Sequence, residues 1–201
     1  MQLIGRTLSP FVRRVAATLN VYGIPFEHLA YSTVDNAADI ARYNPLVRVP
    51  ALVLDDGESL IDSAAILDHV ETLAPADKAL VPKEGAARRA ALRAEALALG
   101  ACDKAVAAFT ELKRRAPEHR SETVAAGQLR QVHGALAALD AMAPDPYLAG
   151  ARMTQADMAV TVLIDFLDVV HPGMTSDYLA LSGLRDRMNK IEAIGSTRWA
   201  G

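Results

Sequence analysis

Three short stretches carry groups able to do chemistry: Ser9-Pro10, Arg48-Val49-Pro50 and Asp62-Ser63. Ser9 stands before a proline and an apolar periodic run (Phe11, Val12, Val15, Ala16, Leu19), which makes it the N-cap of a helix with Pro10 at its first position. Pro50 directly precedes the apolar run 51–54, an entrance where a proline, having no N–H, takes nothing from a sheet ladder. Asp62 and Ser63 follow a second run, 58–61, and open a helical pattern through Ala64, Ile66, Leu67, Val70 and Leu73. Between the two runs, Asp55-Asp56-Gly57 is tight-turn chemistry, because Asp and Gly tolerate positive φ. The hairpin brings the strand entrance at Pro50 close to the helix start at Asp62-Ser63. Backbone groups at one and N–H donors at the other suit an extended, anionic, peptide-like ligand.

The elements that must position these groups are legible in order. Residues 2–5 form a strand, Ser9 to Gly23 a capped helix, 26–31 a second strand and 35–43 a short helix stopped by Asn44-Pro45. With the hairpin and the helix 63–73, this is a βαβ-α-ββα unit occupying residues 1–73. A polar, proline-bearing link covers 74–84. From 85 to 201 strand signals vanish, and helices are expected over 86–115, 122–142, 154–170 and 181–194. Thr154 and Asp157 stand at N-cap and N3 of the third of these, a reciprocal cap that reads as a folding signal. Its worth is about 0.5–2 kcal/mol.

Composition excludes several classes. The net charge of −3 has no long block of one sign, which argues against nucleic acid as a partner. No apolar run is long enough to span a bilayer, and Met1-Gln2-Leu3-Ile4-Gly5 is not a secretory leader, so no membrane partner and a cytoplasmic location are expected. The single cysteine, Cys102, lies in the long helix and reads as a packing residue. The five histidines lack metal-ligand spacing, and no metal is expected.

Four motifs in order resemble the cytosolic glutathione S-transferases of the bacterial, serine-type, theta/zeta-like kind, and the resemblance spans essentially the whole chain. They are Ser9-Pro10-Phe11-Val12-Arg13, Asn44-Pro45-Leu46-Val47-Arg48-Val49-Pro50, Asp62-Ser63 and Thr154-Gln155-Ala156-Asp157. The resemblance implies a thioredoxin-like α/β N-terminal domain followed by an all-α C-terminal domain. It implies glutathione as co-substrate, a small hydrophobic electrophile, and a homodimer through the helix at Ser63 and the long helix carrying Ala90, Ala94, Ala98, Ala101 and Ala105. Those alanines would equally suit packing inside the helical domain.

Site roles follow from the same resemblance. The Ser9 hydroxyl would donate to the glutathione sulfur, with Thr7 as the alternative hydroxyl. Phe11 would belong to the glutathione site. Val49, before a cis Pro50, would pair by its backbone with the cysteinyl part of glutathione. Asp62 and Ser63 would hold the γ-glutamyl end, and Arg48 the glycyl carboxylate. Arg13 would add positive potential or be an ordinary surface arginine. Phe109, Phe166 and Trp199 would border the electrophile or simply pack, and Asp103 would reach a ligand amine across a dimer. Two functions fit: a transferase whose Ser9 stabilises the thiolate, or a non-catalytic module of the same fold in which Ser9 only caps.

Overall fold

The computed structural model describes residues 1–75 and 77–201, so position 76 of the expected link lies outside the described residues. The chain forms two compact units, one from residues 1–80 and 189–201, the other from 81–188.

The first unit is built on a four-stranded sheet in the order β2-β1-β3-β4, with β1 Gln2–Ile4, β2 Glu27–Leu29, β3 Ala51–Val53 and β4 Ser59–Ile61. β2 runs parallel to β1, which requires a crossover, and α1 (Pro10–Tyr22) provides it. Ser9 caps α1 as expected and Gly23 closes it. β3 and β4 form the expected hairpin; Gly57 at φ +91 takes the turn position that L side chains avoid, and Asp56 Oδ1 accepts from the Glu58 N–H at 3.0 Å. α2 (Ala37–Ile40) is one turn, and α3 (Ser63–Thr72) completes the unit. Leu3, Ile4, Val12, Val15, Leu19, Leu52, Ile66 and Val70 are fully buried and form its core.

Two polar anchors fix α1. Tyr22, at its last turn, donates its hydroxyl to Glu71 on α3 and accepts the Leu80 N–H at 3.1 Å. Burial, and then the hydrogen bond to Glu71, push the Tyr22 phenol far above its ordinary pKa, so it stays protonated and able to donate. Arg13 is 2% exposed, with Nε donating to Thr197 Oγ1 at 3.2 Å and an Nη to Asn189 Oδ1 at 2.8 Å. Arg13 is thus not a surface arginine but a buried tie to the C-terminal segment. That segment, read from sequence as part of the helical domain, packs with the first unit through α8 (Glu192–Gly195).

The second unit is helical throughout: α4 (Gly85–Phe109), α5 (Glu122–Asp140), α6 (Gln155–Val170) and most of α7 (Leu179–Asn189). The long helix expected over 86–115 ends earlier as an α-helix, passing into a π-helical turn at Thr110–Arg114. Ala94, Ala98, Ala101 and Ala105 are at most 2% exposed within this unit, where α4 packs on α5 and α6; only Ala90 is exposed. The alanine stripe is therefore core, not a surface through which two copies would meet. Small side chains let three helices approach closely, and Cys102 is buried among them.

The reciprocal cap at α6 is present. Asp157 Oδ2 accepts the Thr154 N–H at 2.8 Å, and Oδ1 also takes the Leu148 N–H at 2.8 Å, tying the preceding loop to the helix. Burial pushes the Asp157 carboxyl above its ordinary range, opposed by these donors. Arg185 binds Asp165 at 2.9 Å and Asp168 at 2.8 Å, locking α7 to α6. Burial alone would lower the Arg185 pKa, but its carboxylate partners outweigh that and raise it.

Candidate functional site

Strand register brings the three chemical stretches together. Ile4 pairs with Ala51, and Ala51 with Ile61, so the three residues lie side by side across β1, β3 and β4. β3 is antiparallel to both neighbours. The chain leaving β1 toward Ser9, the chain entering β3 through Val49-Pro50, and the chain leaving β4 at Asp62-Ser63 therefore all sit at one end of the sheet. With neighbouring strands about 4.8 Å apart, the three span roughly 10 Å.

Gly5 allows the close fit of this end. Its φ is +126, and a Cβ placed there would stand 2.6 Å from Val12 Cγ2 and 2.8 Å from Val49 Cβ. A side chain at position 5 would push the loop leading to Ser9 off both α1 and the Val49 loop. Its backbone is also held, with the Gly5 N–H donating to the Leu29 carbonyl at 2.9 Å and His28 Nε2 lying 2.7 Å from the Gly5 carbonyl oxygen.

Ser9 is half-buried, and its Oγ accepts the Val12 N–H at 3.4 Å, a long and weak cap. Accepting that bond leaves the hydroxyl hydrogen available to donate. α1 has no acidic residue in its first turn, so the partial positive charge of its N-terminus is not cancelled there. Phe11 is half-buried on the same turn.

Val49-Pro50 is cis, as the resemblance implied. Val49 is half-buried, Pro50 buried and Arg48 exposed. The loop leading to them is organised by Asn44, which is 2% exposed. Its Nδ2 donates to the Arg48 carbonyl at 2.9 Å and its Oδ1 accepts the Leu46 N–H at 3.0 Å. The sequence marks Asn44 as a helix stop and as the first residue of the motif ending at Pro50, but not as the side chain that closes this loop. Asn44→Ala removes both bonds from a buried position, so it should cost about 1–3 kcal/mol by urea unfolding and weaken any ligand held by the Val49 backbone.

At the third stretch, Asp62 rather than Ser63 is the N-cap of α3, its Oδ1 accepting the Ala64 N–H at 2.8 Å. Asp62 is exposed and Ser63 is 4% exposed as the first helical residue. Asp62 holds φ +68, and Val47, in the neighbouring loop, φ +53. Non-glycine residues in such conformations cost about 1–3 kcal/mol each and gather at functional sites. Two of the three among the described residues flank the same end of this sheet. α3 also lacks an acidic residue in its first turn. The site thus offers two helix N-termini, the strand entrance at Val49-Pro50, one carboxylate and one exposed guanidinium: a cradle for a peptide-like zwitterion with further negative charge.

Thr7 lines a separate groove with Asn20 and His28. Phe109 and Phe166 belong to the helical unit, with Phe109 under the Arg114 guanidinium, and Trp199 to the first unit. Asp103 is exposed on α4. Among the described residues no cluster of His, Cys, Asp or Glu could hold a metal ion, and no helix is long and apolar enough to cross a membrane.

Comparison with known proteins agrees with this architecture. The glutathione S-transferase N-terminal domain family matches residues 3–78, and the glutathione S-transferase C-terminal domain family residues 87–192. An uncharacterized GST-like protein of Escherichia coli K12, YibF, is 29% identical over 199 residues, covering 98% of each chain. A glutathione S-transferase of Methylobacterium radiotolerans, solved with glutathione sulfonate, is 32% identical with a TM-score of 0.90, over 98% of this chain and 93% of its own. One of Methylobacillus flagellatus, solved with glutathione bound, is 29% identical with a TM-score of 0.90 over 98% of both chains. A four-stranded mixed sheet followed by a helical unit, with both domain families matched in order, places the chain in the glutathione S-transferase family.

Proposed function

We propose that the protein is a glutathione transferase in which Ser9 stabilises the glutathione thiolate for attack on a small hydrophobic electrophile. The observation that carries this reading is the register of Ile4, Ala51 and Ile61, which aligns the Ser9 loop, Val49-Pro50 and Asp62-Ser63 at one sheet end. The glutathione sulfonate held by one similar solved protein and the glutathione held by another support the choice of ligand.

In this reading the cysteinyl backbone of glutathione pairs with the Val49 N–H and C=O as an added strand. The γ-glutamyl carboxylate meets the N-terminus of α3 at Ser63, and its ammonium pairs with the Asp62 oxygen not used in capping. Arg48 takes the glycyl carboxylate. The sulfur then falls at the N-terminus of α1, beside Phe11, where Ser9 donates to it. A free thiol titrates near 8.5, and a helix N-terminus with a donor lowers that toward neutrality. The thiolate lone pair forms the new C–S bond to the electrophile as its leaving group or π bond accepts the displaced electron pair. The protein acts in the cytoplasm, as a homodimer, on this account.

Calorimetric titration with glutathione tests the binding half. Glutathione should bind and raise the melting temperature, and Asp62→Ala should weaken it by about 1.5–3 kcal/mol. Because Asp62 also caps α3, Asp62→Asn is the informative partner: an Asn retains the cap and its stability but loses the charge, and affinity should still fall. No heat and no thermal shift at millimolar glutathione would overturn the reading.

A further inference from the structure

A groove of about 450 Å³ opens beside α1 in the first unit, and of its lining residues only Thr7, the alternative hydroxyl for the sulfur, was named above for glutathione. Its volume lies within the range of about 300–1,000 Å³ that takes small-molecule ligands. One wall is apolar: Ala16 of α1, with Ile24, Pro25 and Phe26 of the α1–β2 connection. The polar lining is Thr7, Asn20, His28, Ser196 and Thr197, with no Asp, Glu, Lys or Arg. A charged ligand would lose hydration there without meeting an opposite charge, so the lining favours a neutral, mostly apolar molecule.

The hydrogen bonds already made narrow the ligand further. Asn20 Nδ2 donates to the Ala193 carbonyl at 3.1 Å. Thr197 Oγ1 donates to the Ile194 carbonyl at 2.6 Å and accepts from Arg13 Nε, so both residues are engaged. His28 Nε2 faces the Gly5 carbonyl at 2.7 Å; a carbonyl only accepts, so Nε2 carries the hydrogen. The other nitrogen of the neutral ring, Nδ1, is then an acceptor. Among the described residues nothing donates to it, and none makes a hydrogen bond with the Thr7 or Ser196 hydroxyl.

We propose that this groove is a second binding site, for a neutral aromatic or alicyclic molecule bearing one hydroxyl. The ring lies against Phe26 and Ile24, and the hydroxyl donates to His28 Nδ1. Since His28 also holds Gly5, and Thr7 lies between Gly5 and Ser9, the occupant touches the loop that ends at Ser9.

The test uses 1-naphthol as probe, with calorimetry and amide chemical-shift mapping on the full chain. Saturable binding is expected, with the largest shifts at Thr7, Ile24, Phe26, His28 and Ser196, and it should persist at saturating glutathione. 1-Methoxynaphthalene, which keeps the rings but has no donor, should bind about 3–10-fold more weakly, the worth of one hydrogen bond. Ser196→Trp, at an exposed position that tolerates bulk, should abolish binding while leaving the melting temperature near wild type. Absence of saturation at millimolar probe would overturn the site, as would unaltered binding in Ser196→Trp. Displacement of the probe by glutathione would assign it to the glutathione cradle instead, and equal affinity for the methyl ether would overturn the hydroxyl assignment.

Discussion

Ser9→Ala should lower the rate of glutathione conjugation near neutral pH by about ten- to a thousandfold while changing glutathione affinity little. That is the loss expected when about 1.4–4 kcal/mol of anion stabilisation disappears. The argument rests on the position of the hydroxyl. Ser9 Oγ spends an acceptor lone pair on Val12 N–H, at a long 3.4 Å, and keeps its hydrogen for a neighbour. The same weak cap sets the size of the competing effect. A mere capping residue would lose about 1 kcal/mol of stability on truncation and keep its pH–rate profile. Rates measured across pH separate the two, because loss of a donor moves the ascending limb to higher pH, whereas loss of a cap does not. Sign and direction both follow: the thiolate is the reactive form, so anything that destabilises it raises the pH at which half the bound thiol is ionised.

Gly5→Ala should destabilise the protein by about 2–6 kcal/mol in urea unfolding and weaken glutathione binding with it. Two costs combine. At φ +126 an alanine is strained by about 1–3 kcal/mol whatever the space around it. Its Cβ would also collide with Val12 Cγ2 and Val49 Cβ, and relieving such overpacking costs about another 1–3 kcal/mol. Gly57→Ala isolates the first cost, because Gly57 has φ +91 but nothing within 4 Å of the added carbon. Gly57→Ala should therefore be milder and leave glutathione affinity intact. Equal losses at both positions would mean that the Val12 and Val49 contacts carry no strain.

What was legible in the sequence was local. Ser9-Pro10 with Gly23, Asp55-Asp56-Gly57, and Thr154 with Asp157 each fix a cap or turn through groups a few residues apart, and each formed where its residues stand. The site stretches were also readable, since each lies at an element boundary. What was not legible depends on partners far along the chain. Arg13 looks like any helix-surface cation until Thr197 and Asn189 arrive to bury it. The alanines of α4 mark a surface of close approach, but periodicity names the face and not what covers it; α5 and α6 do. Gly5, between a strand and a loop, gives no sign that Val49 lies against it, and Asn44, legible as a helix stop and a motif residue, does not show that its side chain reaches the Arg48 carbonyl. Ser9 was readable as the cap, with Thr7 the alternative donor, but that Thr7 lines the groove beside α1 depends on residues 24–28 and 196–197, which lie far along the chain.

The most direct measurement of the central claim is the ultraviolet absorbance of glutathione thiolate, followed against pH at saturating protein, in wild type, Ser9→Ala and Thr7→Ala. Wild type and Thr7→Ala should titrate together, well below the ordinary thiol value of about 8.5, and Ser9→Ala should titrate at higher pH. A Ser9→Ala titration superimposable on wild type would contradict the account: a shift confined to Thr7→Ala would move the donor to Thr7, and no shift in either would leave thiolate stabilisation to the helix N-terminus and backbone alone.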